Sequence, residues 1–576
     1  MTSNGPGPGR AASSGRRPAA SWVIALAVVL VLVASAAGAV LATHPWAGSG
    51  PAATGPSAPA QSARIGSSGA SAVGASTGQA ATPALSPGES PAESPGDLLD
   101  LPIESAPPPG PDLTARENRN PGTDRWRLAL DGKGDAEGYF DDVSVAPGAS
   151  IGLHIRSASP AVDVSIVRLG AYGGLGARLV GQYRDIRVAA QPDPVTDPGT
   201  GMVTAGWSTA LTIRVPADWV SGLYLGVIMP PGGKAQYASF VVREATSAAR
   251  ILFVSPVTSH EAYNDWGGKS LYSDNSTGAP TIAGGSQAVT VSFDRPFAED
   301  RGAGRMLRWE YPFVRWMEAE GYDVGYATDV DLQRDPSIAA GRRLIVFVGH
   351  PEYWSTQMRA TVDTAISEGT NVAFFSANEM YWRVRLESST GPFREVVCYR
   401  NAALDPVAAT DPSQATTHWR DKPSPLPESL TIGQMYGHIA LVPADWVVTA
   451  PDSWIYAGTG LRAGDRIPNL VGGEYDRFWP EHAPPGTTVV AESPVTADLR
   501  AEMGPGATFP PREPSPPVAN ATMYQASSGA IVFSAGTMQW SWALDGWGGF
   551  TYRGVATPVD ERVKRITRNV LDRLGS

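Results

Sequence analysis

The stretch from Leu344 to Arg383 most constrains what this chain can fold into, because two apolar runs too short to be helices flank one run of helical period. Leu344–Val348 reads as a strand buried on both faces. The turn Gly-His-Pro-Glu-Tyr-Trp at 349–354 leads to Ser355, a candidate N-cap. Met358, Val362, Ala365 and Ile366 then recur at helical spacing until Gly369 closes the run. A second buried run, Asn371–Ser376, passes directly into Ala377-Asn378-Glu379, so the spacing predicts a βαβ unit. In open parallel sheets, ligands bind beyond the carboxyl ends of the strands, and His350, Glu352 and Asn378 fall together there. This is the candidate site.

The rest of the chain divides by composition. Residues 1–20 carry three arginines and no acid, and Trp22 to Ala42 is uncharged. That run is long enough to span a bilayer core of ~30 Å. With arginines on its N-terminal flank, the expectation is a cytoplasmic tail (1–20) and a single-pass anchor in the cell membrane (21–42), with the bulk of the chain extracellular. A cleaved signal peptide is the alternative, since the small residues of Ala34–Ala39 could form a processing site. From Ala47 to Arg125 there is no aromatic residue, and Pro, Gly, Ser and Ala dominate. Such a stretch cannot offset its chain entropy by burial, which makes 43–116 a disordered tether rather than a proline-rich recognition segment.

Between residues 117 and 245 short alternating runs recur without helices: 143–148, 151–155, 162–167, 211–215, 222–228 and 237–242. They predict an immunoglobulin-like β-sandwich of about seven strands. The glycine-rich segment 168–178 follows a strand but opens no helix, so it reads as a hairpin or bulge and not as a phosphate loop. From Arg250 the pattern changes to strands alternating with helices. It includes a helix at 312–320, the βαβ unit, a strand at 530–534 and a last helix at 560–574, and predicts an α/β domain over 246–576. Pro, Gly and Asp residues interrupt short strands between Ala402 and Pro517, which reads as long insertions along one side of the sheet.

A net charge of −11 and a pI near 5.3 argue against a nucleic-acid partner, which demands a basic face. The single cysteine, Cys398, rules out an intramolecular disulfide and a cysteine-rich metal site. Of the histidines at 44, 154, 260, 350, 418, 438 and 482, only His350 follows a buried strand with a carboxylate two residues on. No pair of histidines has zinc-protease spacing, and no Gly-x-Ser-x-Gly elbow follows a buried strand. Tyr263, Trp266, Tyr272, Tyr353, Trp354, Tyr381 and Trp382 crowd the candidate site, with Tyr353, Trp354 and Trp382 read as its walls.

Four segments carry a resemblance: Ala262–Tyr272, Val291–Pro296, Gly349–Ser355 and Ala377–Arg383. They look like the C-terminal region of the N,N-dimethylformamidase large (beta) subunit family. Glu137–Val145 and Arg168–Gly176 resemble the sandwich that precedes it there, so the likeness spans about 117–576. The resemblance implies a sheet similar to that of class I glutamine amidotransferases, without their cysteine nucleophile. It also implies a mononuclear iron, ferric in character, held by two tyrosines and one glutamate. Glu352 matches the glutamate and Tyr263 one tyrosine; Tyr272 is preferred to Tyr311 for the second. His350 and Asn378 match the neighbouring polar groups, and Glu474 matches a second glutamate by position only. The implied reaction is hydrolysis of an amide-type C–N bond by metal-activated water on a small-molecule substrate. A small-subunit or oligomeric partner is also implied. Two other readings stand beside it: a glycan- or peptide-binding surface module, and a hydrolase of another class acting on cell-wall material.

Overall fold

A computed structural model describes residues 98–108, 110–244, 249–389, 391–497 and 517–576. The expected anchor at 21–42 and most of the expected tether lie outside them. Among the described residues no helix is long and apolar enough to cross a membrane.

The strands of 117–245 build two larger sheets and a two-stranded one, Val195–Thr196 with Val203–Thr204. Ala136–Phe140, Ser150–Ser157 and Thr209–Arg214 form a three-stranded antiparallel sheet. Ser144–Val145, Gln236–Val242, Gly222–Met229, Ala161–Leu169 and Ala177–Arg187 form a five-stranded one. Side chains of a strand alternate between faces. On Ala161–Leu169, Val162, Val164 and Ile166 join Phe140, Ile155 and Phe240 in one core. Val167 and Leu169 belong to the next core instead. The larger sheet is thus covered on both faces, which is why Gly222–Met229 is buried throughout and shows no polar alternation. The glycine-rich segment turns between two strands of an antiparallel hairpin, as its composition suggests.

The second half centres on a seven-stranded sheet in the order Val324–Thr328, Ile251–Ser255, Leu344–Gly349, Asn371–Ser376, Ile531–Ser534, Val518–Gln525, Thr488–Pro494. The first five are parallel and the last two pairings antiparallel. Between the strands Leu344–Gly349 and Asn371–Ser376 lies the helix Thr356–Ser367, whose first turn is capped by Ser355 Oγ accepting from Met358 N–H at 3.1 Å. Gly349 ends the first of these strands at φ 77°, and a Cβ there would sit 2.6 Å from Trp309 Cβ, so the turn that presents His350 requires glycine.

The expected fold class needs correction. The described residues are mostly β-structure in eight sheets, several of only two strands, and an α/β fold of the glutamine amidotransferase type is not what they form. The physical reason lies in the insertions. The Pro-, Gly- and Asp-rich region after Ala402 folds into further strands, Met435–Ile439 with Glu474–Arg477 and Ala444–Val447 with Arg466–Val471. Its last strand, Thr488–Pro494, closes the large sheet by antiparallel pairing with Val518–Gln525. Short helical runs such as Tyr311–Ala319 are thereby outnumbered by strands.

A buried polar network ties the two halves together. Arg168, on the five-stranded sheet, makes a two-pronged ion pair with Glu318 of the helix Tyr311–Ala319, at 2.8 and 3.0 Å. Tyr326 Oη donates to the same carboxylate at 2.6 Å, and Asn118 Nδ2 at 2.7 Å. A charge removed from water is tolerable only with such full pairing.

Candidate functional site

The three central parallel strands deliver the site at their carboxyl ends. Ile251–Ser255 is followed by the short helix Val257–Tyr263, which ends on Tyr263. Leu344–Gly349 is followed by His350 and Glu352, and Asn371–Ser376 by Asn378. The Glu352 main-chain N–H donates to Ser259 Oγ at 2.9 Å, which locks the His-Pro-Glu turn against that short helix. Tyr272 arrives on the loop after Tyr263, held by Leu271 N–H donating to Ala262 O at 3.0 Å and Tyr272 N–H to Ser270 Oγ at 2.9 Å. Glu474 begins the strand Glu474–Arg477.

These side chains converge. Tyr263 Oη donates to Glu352 Oε2 at 2.7 Å, Tyr272 Oη lies 2.7 Å from Tyr263 Oη, and it lies 3.2 Å from each Glu352 oxygen. His350 Nε2 lies 3.0 Å from Glu474 Oε2 and 3.3 Å from Glu352 Oε2. Asn378 Nδ2 donates to Glu474 Oε2 in a short hydrogen bond. All six residues named from the sequence therefore meet in one place. Tyr311 does not: its hydroxyl donates to Gly176 O at 2.7 Å and its ring packs on Trp126 and Trp547.

Sequence reasoning missed several participants. Tyr353, read as a wall, donates from Oη to Tyr272 Oη at 2.6 Å and accepts from Arg400 Nη2 at 2.8 Å. The Tyr263 and Tyr272 rings stack, and a guanidinium covers each outer face: Arg305 over Tyr263 and Arg400 over Tyr272, both 3.8 Å from the ring centre. Nothing in the spacing of Arg305 or Arg400 signals this; both lie in loops or short turns far from the βαβ unit.

Electrostatics follow from burial. Burial, and then the Glu352 carboxylate, hold the Tyr263 and Tyr272 phenols well above the ordinary phenol range. Burial likewise pushes Glu352 up to about 7, against the pull of His350. For His350, burial acts downward, but Glu474 and Glu352 outweigh it and the imidazole is raised. His350 Nδ1 and Asn378 Oδ1 are buried without a hydrogen-bond partner. Such orphans cost ~1–3 kcal/mol each and mark where a bound group would be welcomed.

The donor set also fits the implied iron. Ligand oxygens ~2.0 Å from one ion lie roughly 3 Å from each other. The Tyr263, Tyr272 and Glu352 oxygens are spaced at 2.7–3.2 Å. Phenolate and carboxylate are hard oxygen donors, suited to a hard, highly charged cation. Among the described residues no group of three His, Cys, Asp or Glu side chains could hold a metal, so any such ion would depend on the phenols.

The fold and site thus define a β-rich protein with a buried phenol, carboxylate and imidazole cluster at the ends of parallel strands. The chain belongs to the N,N-dimethylformamidase beta subunit-like, C-terminal family, which it matches over residues 163–554. That membership implies hydrolase activity in general. No curated protein matches the sequence. Among solved structures, a cycloisomaltooligosaccharide glucanotransferase of Paenibacillus sp., complexed with cycloisomaltoheptaose, is similar at 10% identity over 55% of this chain and 62% of its own length. The chain therefore spans less than two thirds of that protein, and a TM-score of 0.15 carries no argument about fold or function.

Proposed function

We propose that the protein hydrolyses an amide-type C–N bond of a small molecule, with Tyr263, Tyr272 and Glu352 holding one iron and His350, Asn378 and Glu474 acting on substrate and water. The observation that carries this reading is the convergence of the six side chains, with the three ligand oxygens 2.7–3.2 Å apart. What a ferric ion supplies when bound is Lewis acidity toward a carbonyl and toward water.

The chain's own groups account for the proton traffic. Glu474 accepts from Asn378 Nδ2 and faces His350 Nε2 at 3.0 Å, so its carboxylate is oriented from two sides. It takes a proton from the attacking water and returns it to the departing nitrogen as the C–N bond breaks, leaving a carboxylic acid and an amine. His350 Nδ1 and Asn378 Oδ1, both buried without a hydrogen-bond partner, serve to position substrate. No covalent intermediate is needed, and the one cysteine cannot supply one: burial pushes the Cys398 thiol up to about 12.

The test is amine release from simple N-substituted amides, beginning with N,N-dimethylformamide, by the full chain. Glu474→Gln, His350→Ala and Asn378→Ala should each lower kcat by ~100-fold, the scale of losing one preorganised group, without loss of fold. An iron-loaded protein that releases no amine from any of these compounds would refute the reading.

A further inference from the structure

Directly behind Asn378 lies a second pair of acids that the proposed chemistry does not use. Glu379 and Asp476 are both fully buried. Their carboxyl groups are hydrogen-bonded to each other. Glu379 Oε1 accepts from Ser376 Oγ at 2.8 Å, while Glu379 Oε2 meets no N–H or O–H donor. Asp476 Oδ1 accepts from the main-chain N–H of Asn378 at 2.8 Å. Two carboxyl groups bond in this way only if one carries a proton. Each acid accepts through one oxygen, and Glu379 Oε2 is the carboxyl oxygen that no donor meets, so the proton belongs there. Burial, and then the neighbouring Asp476, hold the Glu379 carboxyl well above the carboxylate range, which agrees with that assignment.

The placement gives the pair a task. Asn378 and Met380 both have positive φ, 54° and 56°; asparagine tolerates this left-handed region, but a residue such as methionine rarely takes it. Something must hold this turn open. Asp476 stands two residues from Glu474 on the strand Glu474–Arg477. The facing contacts therefore run in parallel: the Asn378 side chain to Glu474, the Asn378 main chain to Asp476, and the Glu379 side chain to Asp476.

We infer that Glu379 and Asp476 form a proton-sharing carboxyl pair that fixes the strained Asn378 turn against the Glu474 strand, making both positioning residues for the Asn378–Glu474 contact. The inference rests on the proposed roles of Asn378 and Glu474 only for its effect on rate. The shared proton itself is testable without any activity.

The experiment compares Glu379→Gln, which keeps a donor toward Asp476, with Glu379→Met, which keeps the volume and deletes the hydrogen bond. In the full-length protein at neutral pH, the infrared spectrum should contain a neutral carboxylic acid band that both variants lack. Glu379→Gln should keep kcat within about threefold, while Glu379→Met should lose roughly 100-fold in kcat with KM and iron content little changed, the scale of misplacing a reacting group by ~1 Å. No band assignable to Glu379 in the wild-type spectrum would overturn the shared proton. A Gln variant as damaged as the Met variant would show that a charge is required and overturn it too. Full kcat in Glu379→Met would overturn the positioning role. If the wild type hydrolyses no amide, the infrared comparison still decides the pair, so failure of the two readings can be told apart.

Discussion

The Tyr263 and Tyr272 rings stack with centres 4.4 Å apart and planes 19° from parallel, which brings their phenol oxygens to 2.7 Å. Stacking alone does not require the hydroxyls to meet. Two phenols held above their ordinary pKa in a buried site share a hydrogen bond; two phenolates so close need a cation between them. Under the proposed function, Tyr263→Phe and Tyr272→Phe keep the rings and remove one ligand oxygen each. Each variant should lose most of its iron, measured by metal analysis, together with the visible tyrosinate charge-transfer absorption. Full iron content in both would make the pair a packing feature.

Tyr353 refines the same test. Its hydroxyl donates to Tyr272 Oη at 2.6 Å, so it withdraws electron density from the oxygen that would bind the ion. Tyr353→Phe should keep most of the iron and move the absorption to longer wavelength. An unchanged spectrum would mean that Tyr353 does not touch a ligand.

What was legible in the sequence was local. Asn371–Ser376 is a strand with the expected bounds, and Ser355 caps the helix that follows the His-Pro-Glu turn. Period-2 and period-3.6 patterns are written by burial of one face, and those signals survive in short runs. The architecture was less legible, because polar, turn-rich segments such as 435–439 and 474–477 pair with each other through backbone groups that leave no compositional mark. His350, Glu352 and Asn378 could be placed by reasoning about strand ends. Tyr263 and Tyr272 came from family resemblance, and Glu474 from position only. Glu379 stood in view beside Asn378, but its partner Asp476 is brought to it by the fold across nearly a hundred residues.

The Arg168–Glu318 pair joins the two halves with both side chains fully buried. Removing one partner strands the other charge in a dry site, a cost of ~3–5 kcal/mol, whereas replacing both by apolar groups avoids it. Glu318→Gln should therefore lower the unfolding free energy by about 3 kcal/mol or more in urea titrations. Arg168→Met with Glu318→Leu should recover much of that loss. Equal losses in the single and double variants would mean that the pair itself stabilises, beyond neutralising two buried charges.

Asp329 supplies a pH-dependent prediction away from the site. It opens the helix Asp329–Arg334 and is 3% exposed. Its oxygens accept from Val330 N–H at 2.9 Å, Thr258 N–H at 3.2 Å and the Thr258 hydroxyl. Burial nevertheless pushes its carboxyl up to about 8, the Thr258 and Val330 hydrogen bonds opposing and Glu310 adding to the rise. The unfolded chain would have an ordinary value near ~3.9. A folded value above the unfolded one gives a stabilising contribution that is complete below ~4 and is lost as pH rises through about 8. This group alone should make the protein progressively less stable between those limits. A side-chain amide cannot ionise, so in Asp329→Asn that component of the slope disappears. Urea midpoints measured from pH 5 to 8 should therefore fall more steeply for the wild type than for the variant, and the difference between the two curves isolates Asp329 from other buried acids such as Glu261. Parallel curves would show that Asp329 is ionised throughout and that its hydrogen bonds outweigh its burial.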